Sequence, residues 1–139
     1  MEISKGFQIE EPSVWVPRGA TEAHLLELLS PHGLRKVTSG YYTISAKSLA
    51  GLGCEIGFHF TPKREGLLRE LEFFRRSYPD QAKSFASFQE HLERAFGVPT
   101  SAEPGSDGFP TYGWSIGGVS VSHYVFDRFG PEEHVRIKW

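Results

Sequence analysis

Four side chains near the C-terminus are of the types that bind metal ions. The segment HYVFDRFGPEEH, residues 123–134, contains His123, Asp127, Glu132 and His134. Imidazole and carboxylate groups are zinc ligands, so these four residues are candidates for a metal site. However, successive side chains of a strand point to opposite faces, which places His123 on the core-facing side and His134 on the other. The segment also lacks the His-Glu-x-x-His spacing of helical zinc sites, so we expect no metal ligands and no cofactor.

His123 is expected to be a core or boundary histidine. It alternates with Val121 and Val125, which form the apolar side of the same predicted strand. A buried imidazole normally has its ring nitrogens hydrogen-bonded. In the absence of a metal site, we expect the charged side chains from Asp127 to Glu133 to lie in a hairpin turn and to be solvated.

The sequence also offers no clear nucleophile or acid–base pair. Cys54 is the single cysteine and shares its strand register with Ile56 and Phe58, which predicts an inert, buried thiol. Glu55 and His59 share the opposite face of that strand, but four strand steps of ~3.3 Å separate their Cα atoms by about 13 Å. The sequence contains no Walker loop, Rossmann glycine pattern or Gly-x-Ser-x-Gly elbow. No catalytic residue is therefore predicted.

The elements that must position these residues follow from apolar periodicity and from turn residues. Helices are predicted from an N-cap at Thr21, over residues 64–77, and from about Ser84 to Gly97. Strands are predicted over residues 7–16 (one or two short edge strands), 41–46, 54–60, 111–116, 119–126 and 134–139. Residues 99–110 are rich in proline and glycine, and their composition predicts a loop.

Two parts of the chain share one layout. Residues 22–60 and 84–138 each begin with a helical stretch, pass a helix-ending glycine and continue into two strand-like runs. The glycines are Gly33 and Gly97, at positions where a chain leaves a helix at positive φ. Two such helix-plus-hairpin units predict one α+β domain over residues 1–139, an antiparallel sheet of four to six strands with helices packed on one face.

The other face of that sheet is the candidate binding surface. Strand alternation leaves aromatic and charged side chains on it: Glu55, His59, Tyr124, Phe126, His134 and Arg136. Large rigid rings beside arginine are typical of protein–protein hot spots. The alternative is that an N-terminal strand or the loop at 99–110 covers these rings, and the sequence leaves both arrangements open.

Composition narrows the classes of function. The chain has 139 residues and a formal net charge of −2, which gives no broad electrostatic case for nucleic acid or for an anionic membrane. Arginines in the helix predicted over 64–77 interleave with glutamates, which favours a solvated surface. The N-terminus lacks the apolar core of a signal peptide, and no apolar run approaches the ~20 residues of a membrane span. With a single cysteine, these features predict a cytoplasmic protein.

The layout of residues 84–138 is similar to that of a known class of protein. The helical stretch SFASFQEHLERAFGVP is followed by Trp114 and then by the strand pair SHYVFDRFGPEEHVRI. In this layout the chain resembles small bacterial immunity proteins, which accompany secreted antibacterial toxins and are cytoplasmic, single-domain α+β proteins without catalytic motifs. The resemblance implies tight, non-catalytic occlusion of a toxin's active site. It transfers the role of no individual residue.

Two hypotheses of different class follow. The first is a protein-binding module of the immunity type, whose partner is a cognate toxin bound through the exposed sheet face or its rim. The second is a small enzyme or small-molecule-binding protein with a pocket between the sheet and the helices. If the toxin is a nuclease, we expect an acidic patch, which five residues can supply: Glu10, Glu11, Asp107, Glu132 and Glu133.

Overall fold

The computed structural model describes residues 1–61 and 66–139, which form two α-helices and ten β-strands. In chain order these are β1 (Gly6–Ile9), β2 (Val14–Pro17), α1 (Glu22–Leu29), β3 (Arg35–Thr38), β4 (Tyr41–Ser48), β5 (Leu52–Phe60), β6 (Leu68–Phe74), α2 (Gln81–Phe96), β7 (Ser101–Glu103), β8 (Thr111–Ile116), β9 (Val119–Asp127) and β10 (Pro131–Lys138). The predicted α+β class is confirmed.

The sheet is larger than the predicted four to six strands. Eight strands form one antiparallel sheet in the order β3-β4-β5-β6-β10-β9-β8-β7, and β1 pairs with β2 in a separate hairpin. Each helix is followed by four consecutive antiparallel strands, and the last strands of the two sets, β6 and β10, pair in the centre. From either edge of the sheet to its centre, the four strands of each set therefore follow one another in chain order.

Both helices begin and end where local chemistry dictates. The Thr21 side chain accepts a hydrogen bond from the backbone N–H of His24 at 3.1 Å, which confirms the predicted N-cap of α1. Asp80 caps α2 in the same way, by accepting from the N–H of Lys83 at 3.0 Å. Gly33 and Gly97 have φ of 87° and 84°, which confirms the predicted use of glycine at these exits.

The prediction of a helix over residues 64–77 is wrong. Residues 62–65 lie outside the described residues, and Leu68–Phe74 form β6, the partner of both β5 and β10. Leu71 and Phe73 point into the core and alternate with Glu70 and Glu72 on the opposite face. The apolar spacing at 67, 68, 71 and 74 also fits a helix, and long-range pairing at the centre of the sheet decides between the two periods.

Two other predictions need smaller corrections. The loop predicted at 99–110 contains β7 and a 3₁₀ turn at Ser106–Gly108. The strands predicted within 7–16 form β1 and β2, which pair with each other rather than with the main sheet, apart from an isolated bridge between Glu11 and Lys47. A short β7 and a separate hairpin depend on contacts distant in sequence, which composition does not reveal.

The main core lies on one face of the sheet. Rings from the helices and from the N-terminal hairpin pack there, such as Phe85 of α2 at 4.0 Å from the His123 ring and Phe7 of β1 at 5.2 Å from the Phe73 ring. Leu25 and Leu29 of α1 join the same cluster and are fully buried. Trp114 is buried too, whereas Trp15 is exposed. The opposite face of the sheet carries no described helix, and we call it the open face.

Candidate functional site

The open face presents a continuous row of polar and aromatic side chains across five strands. Tyr41 of β4 pairs with His59 of β5, and Glu72 of β6 pairs with Arg136 of β10. On β10, His134 pairs with Tyr124 of β9. Because paired residues of adjacent strands point to the same face, these side chains lie side by side.

Two aromatic–imidazole stacks flank this row. The rings of Tyr41 and His59 are 4.4 Å apart between centroids and inclined by 16°. The rings of Tyr124 and His134 are 5.0 Å apart and inclined by 15°. Each stack fixes two flat rings before any partner arrives, which reduces the entropy lost when a partner binds.

Between the stacks lies a network of charged groups. The Arg136 guanidinium contacts the carboxylates of Glu70 at 2.7 Å and Glu72 at 3.2 Å. Glu72 also accepts a hydrogen bond from the Tyr41 hydroxyl at 2.6 Å and contacts His59 Nε2 at 3.3 Å. Glu72 therefore connects the first stack to Arg136.

The network sets the protonation of its members. Burial alone would raise the pKa of Glu72, but hydrogen bonds from His59 and Tyr41, together with the Arg136 charge, lower it to about 2. Burial and the hydrogen bond to Glu72 raise the pKa of the Tyr41 phenol. Burial, then the Arg136 charge, lowers the pKa of His134. The carboxylate of Glu72 is thus held ionised and fully engaged.

The structure brings together four of the six residues predicted for partner binding. His59, Arg136, His134 and Tyr124 form one connected set through Glu72, since Arg136 also lies 3.3 Å from His134 Nδ1. Phe126 lies farther along the same face of β9 and is 50% exposed. The N-terminal hairpin and the turn at 106–108 pack on the helix side, so in the described parts of the chain neither covers these rings.

Glu55 lies apart from this set. Its side chain is 9% exposed and is covered by Arg76, whose Nε lies 2.5 Å from the carboxylate. Ser45 donates a second hydrogen bond to it. Burial opposes the charged form, but the Ser45 and Arg76 hydrogen bonds lower the pKa of Glu55 overall. A partner would meet Arg76 before it met Glu55.

Glu72 was missed as a site residue, as were Tyr41 and Glu70. In the helix predicted over 64–77, Glu70 and Glu72 belong to the solvated surface, where glutamates interleave with arginines and carry no signal of a site. The alternation of Glu70 and Glu72 with Leu71 and Phe73 is the local sign that both glutamates share a face.

The turn end of the β9–β10 hairpin extends beyond the strands that flank it, β8 and β6. Pairing between β8 and β9 reaches no further than Tyr112 with His123, and pairing between β6 and β10 begins only at Val135. Residues 124–134 are therefore paired only with each other, and we call this segment the ribbon. Its tip carries Phe129, whose side chain is 94% exposed.

A buried polar cluster anchors the base of the ribbon to α2. His123 is fully buried; its Nδ1 lies 2.8 Å from Gln89 Oε1 and its Nε2 lies 2.6 Å from Glu133 Oε2. Glu133 accepts further hydrogen bonds from Ser84 Oγ at 2.6 Å and Gln81 Nε2 at 3.2 Å. The prediction of a core histidine with both nitrogens satisfied is confirmed, and burial lowers the pKa of His123.

The predicted opposition of the two histidines is also confirmed. His123 pairs with Val135 and His134 pairs with Tyr124, so the imidazoles lie on opposite faces of the hairpin. Within residues 1–61 and 66–139, no three His, Cys, Asp or Glu side chains are grouped as metal ligands would be. Cys54 is half-buried, and burial raises the pKa of its thiol to about 12, which disfavours the reactive thiolate.

Two cavities adjoin these features. A notch of about 310 Å³ lies between the end of β6 and the ribbon. The residues that line it include Glu72, Arg75, Tyr78, Glu132 and His134. A shallower groove of about 620 Å³ runs along α2, between Phe85, Glu93 and Tyr112 of β8.

None of the helices in the described ranges is long and apolar enough to cross a membrane. No protein-family model, curated protein or solved structure gives a significant match to this chain. The geometry of the open face and of the ribbon is therefore the basis on which a function is assigned.

Proposed function

We propose that this protein is a non-catalytic protein-binding module, an inhibitor of the immunity type that occludes a cognate toxin. One observation carries the proposal: a face of the eight-stranded sheet remains open and bears two stacked aromatic pairs joined by a charged network. Protein interfaces concentrate their binding energy in aromatic and arginine side chains held in fixed geometry.

The charged groups of the face are arranged for positioning rather than for proton transfer. Glu72 is contacted by Tyr41, His59 and Arg136 together, so both of its carboxylate oxygens are already engaged. Its low pKa keeps it ionised throughout the neutral range. A general base works best with a pKa near the working pH, which Glu72 does not have.

The face is rigid before binding. Neighbouring strands support the Tyr41–His59 stack on both sides, and Arg136 is fixed by two carboxylates. A rigid surface loses little side-chain entropy on association, which favours the tight binding that an inhibitor requires.

The test is co-expression with the product of the neighbouring gene, followed by co-purification and a growth-protection assay. We expect a stable complex and rescue of growth. His59→Ala and Tyr124→Ala should each weaken the complex by ~2 kcal/mol or more if these rings are hot spots. Arg94→Ala is the matched control, since Arg94 is exposed on α2 and pairs with Glu90 of the same helix. Absence of both complex and rescue would refute the proposal.

A small-molecule-binding protein or small enzyme is the second candidate. The groove of about 620 Å³ between α2 and β8 favours it, because a pocket between sheet and helices is where such a ligand would bind. A thermal-shift screen of metabolites would test it. A hit that is abolished by Tyr112→Ala and retained by Tyr124→Ala would favour this candidate over the first.

A further inference from the structure

The ribbon differs from the rest of the sheet because no neighbouring strand supports it. Its strands, residues 124–127 and 131–134, pair with each other alone. At its base, Val125 and Glu133 are buried on the side that faces α2, whereas the residues of the tip, 126–129, 131 and 132, are exposed. The exposed tip can therefore enter a cleft that the broad open face cannot.

The tip of the ribbon presents apolar rings to solvent. Phe129 is 94% exposed and Phe126 is 50% exposed, on a chain that buries most of its other phenylalanines. The nearest described cation, the Arg128 guanidinium, lies 5.8 Å from the centre of the Phe129 ring. An exposed ring at the end of a rigid projection is the form that an interface anchor takes.

Exposed carboxylates lie at the same end of the molecule as these rings. Asp127 is at the end of β9, Asp107 is in the 106–108 turn that packs against β9, and both side chains are exposed. Among the described residues, no lysine or arginine lies within 4 Å of either carboxylate. Glu132 adds a third exposed carboxylate, against the single positive charge of Arg128. Repulsion between like charges at one end of the molecule is relieved when a cation approaches, so this end is complementary to a basic surface.

The base of the ribbon is held firmly. Glu133 is 4% exposed and is bound at once by His123 of β9 and by Ser84 of α2. This cluster fixes the ribbon relative to the helix, so that the tip is aimed without a rearrangement on binding.

We propose that the ribbon inserts into a basic cleft of the protein partner, with Phe129 in an apolar pocket and Asp107 and Asp127 paired with lysine or arginine at the cleft wall. This inference rests on the proposed function and deepens it. It names the part of the molecule that reaches the partner and the chemistry of the partner's surface.

The experiment is titration calorimetry of the complete chain against the purified product of the neighbouring gene, at low and at high salt. Phe129→Ala should lower the affinity at least ~10-fold, as expected for a hot spot. Asp107→Asn and Asp127→Asn should lower it at low salt and lose much of their effect at high salt, because salt screens exposed charges. Asparagine keeps the acceptor that Asp127 offers to the Gly130 N–H.

Val98→Ala is the matched control. Val98 is also an exposed apolar residue, at 85%, but it follows the far end of α2 from the ribbon. The Val98→Ala variant should bind the partner with the affinity of the parent protein. If Phe129→Ala, Asp107→Asn and Asp127→Asn bind like the parent while His59→Ala on β5 does not, the contact is confined to the sheet and this inference fails while the proposed function stands. If the parent protein forms no complex, both fail.

Discussion

The imidazole Nε2 of His123 and the carboxylate Oε2 of Glu133 lie 2.6 Å apart in the protein interior. The other ring nitrogen, Nδ1, lies 2.8 Å from Gln89 Oε1, and Gln89 Nε2 donates to Glu93 at 3.0 Å. The side chains of His123 and Glu133 are 0% and 4% exposed. This pair joins β9, β10 and α2.

Removing the carboxylate should destabilise the protein strongly. Glu133→Ala leaves His123 Nε2, Ser84 and Gln81 without their acceptor in the interior. Breaking a buried pair by removing one partner costs about 3–5 kcal/mol in the free energy of unfolding. Urea denaturation measures it. Glu132→Ala is the control, since that side chain is 53% exposed and should cost less than about 1 kcal/mol. Equal losses in the two variants would contradict the anchoring role of Glu133.

Stability should fall as the solution is acidified below neutrality. Burial lowers the pKa of His123 in the folded protein, so the folded state favours the neutral ring relative to the unfolded chain. The contribution is present above the unfolded value of ~6.5 and is lost as pH falls from there through the folded pKa. We expect the free energy of unfolding to decrease between pH 7 and pH 5, by at most about 1.4 kcal/mol per pH unit per proton.

His134, whose pKa is also lowered, contributes with the same sign. Groups facing His123 are Gln89, Phe85 and Phe88 from α2 and Glu133 from β10, so the comparison needs a variant of the ring itself. In His123→Gln the free energy of unfolding should decrease less between pH 7 and pH 5 than in the parent protein. In the control His32→Gln, at an exposed position after α1, this decrease should equal that of the parent protein. A decrease of the same size in His123→Gln would show that the effect arises elsewhere.

Glu72 should produce a separate loss of stability at lower pH. Its folded pKa of about 2 lies below the unfolded value, so its contribution is present above about pH 4.5 and is lost as pH falls towards 2. Across this window the contribution amounts to at most about 3 kcal/mol. Glu72→Gln should remove this part of the acid transition. Circular dichroism during urea denaturation at each pH measures the free energy of unfolding. If the variant and the parent protein lose stability in parallel below pH 4.5, the assignment is wrong.

Gly57 makes room for the first stack of the open face. A Cβ at this position would lie 2.9 Å from Tyr41 Cε1 and 3.0 Å from Glu72 Oε1. Gly57→Ala should therefore displace the Tyr41 ring, cost about 1–3 kcal/mol of stability and weaken partner binding. Gly53→Ala on the same strand is the matched control, because a Cβ there meets nothing within 4 Å. Equal stability and affinity in the two variants would show that Tyr41 yields without cost.

Much of the local structure was predictable because it depends on neighbouring residues. The Thr21 cap, the glycines at 33 and 97, and the inward position of His123 all follow from backbone geometry or from strand alternation. Strand alternation alone also places His59, Tyr124 and Arg136 on one face. These features require only the side chain, its φ, and the residues two to four positions away.

The tertiary structure alone decided what depends on distant pairing. Residues 68–74 satisfy both a helical and a strand period, and only the partners β5 and β10 make them a strand. The pairing of Glu72 with Tyr41, 31 residues away, and of Glu133 with Ser84, 49 residues away, has no signature in local pattern. The extent of the ribbon is likewise set by long-range pairing, because it begins where β9 no longer pairs with β8 and β10 no longer pairs with β6. The sequence thus determined which way each strand faces, and long-range packing determined which strands meet and what remains exposed.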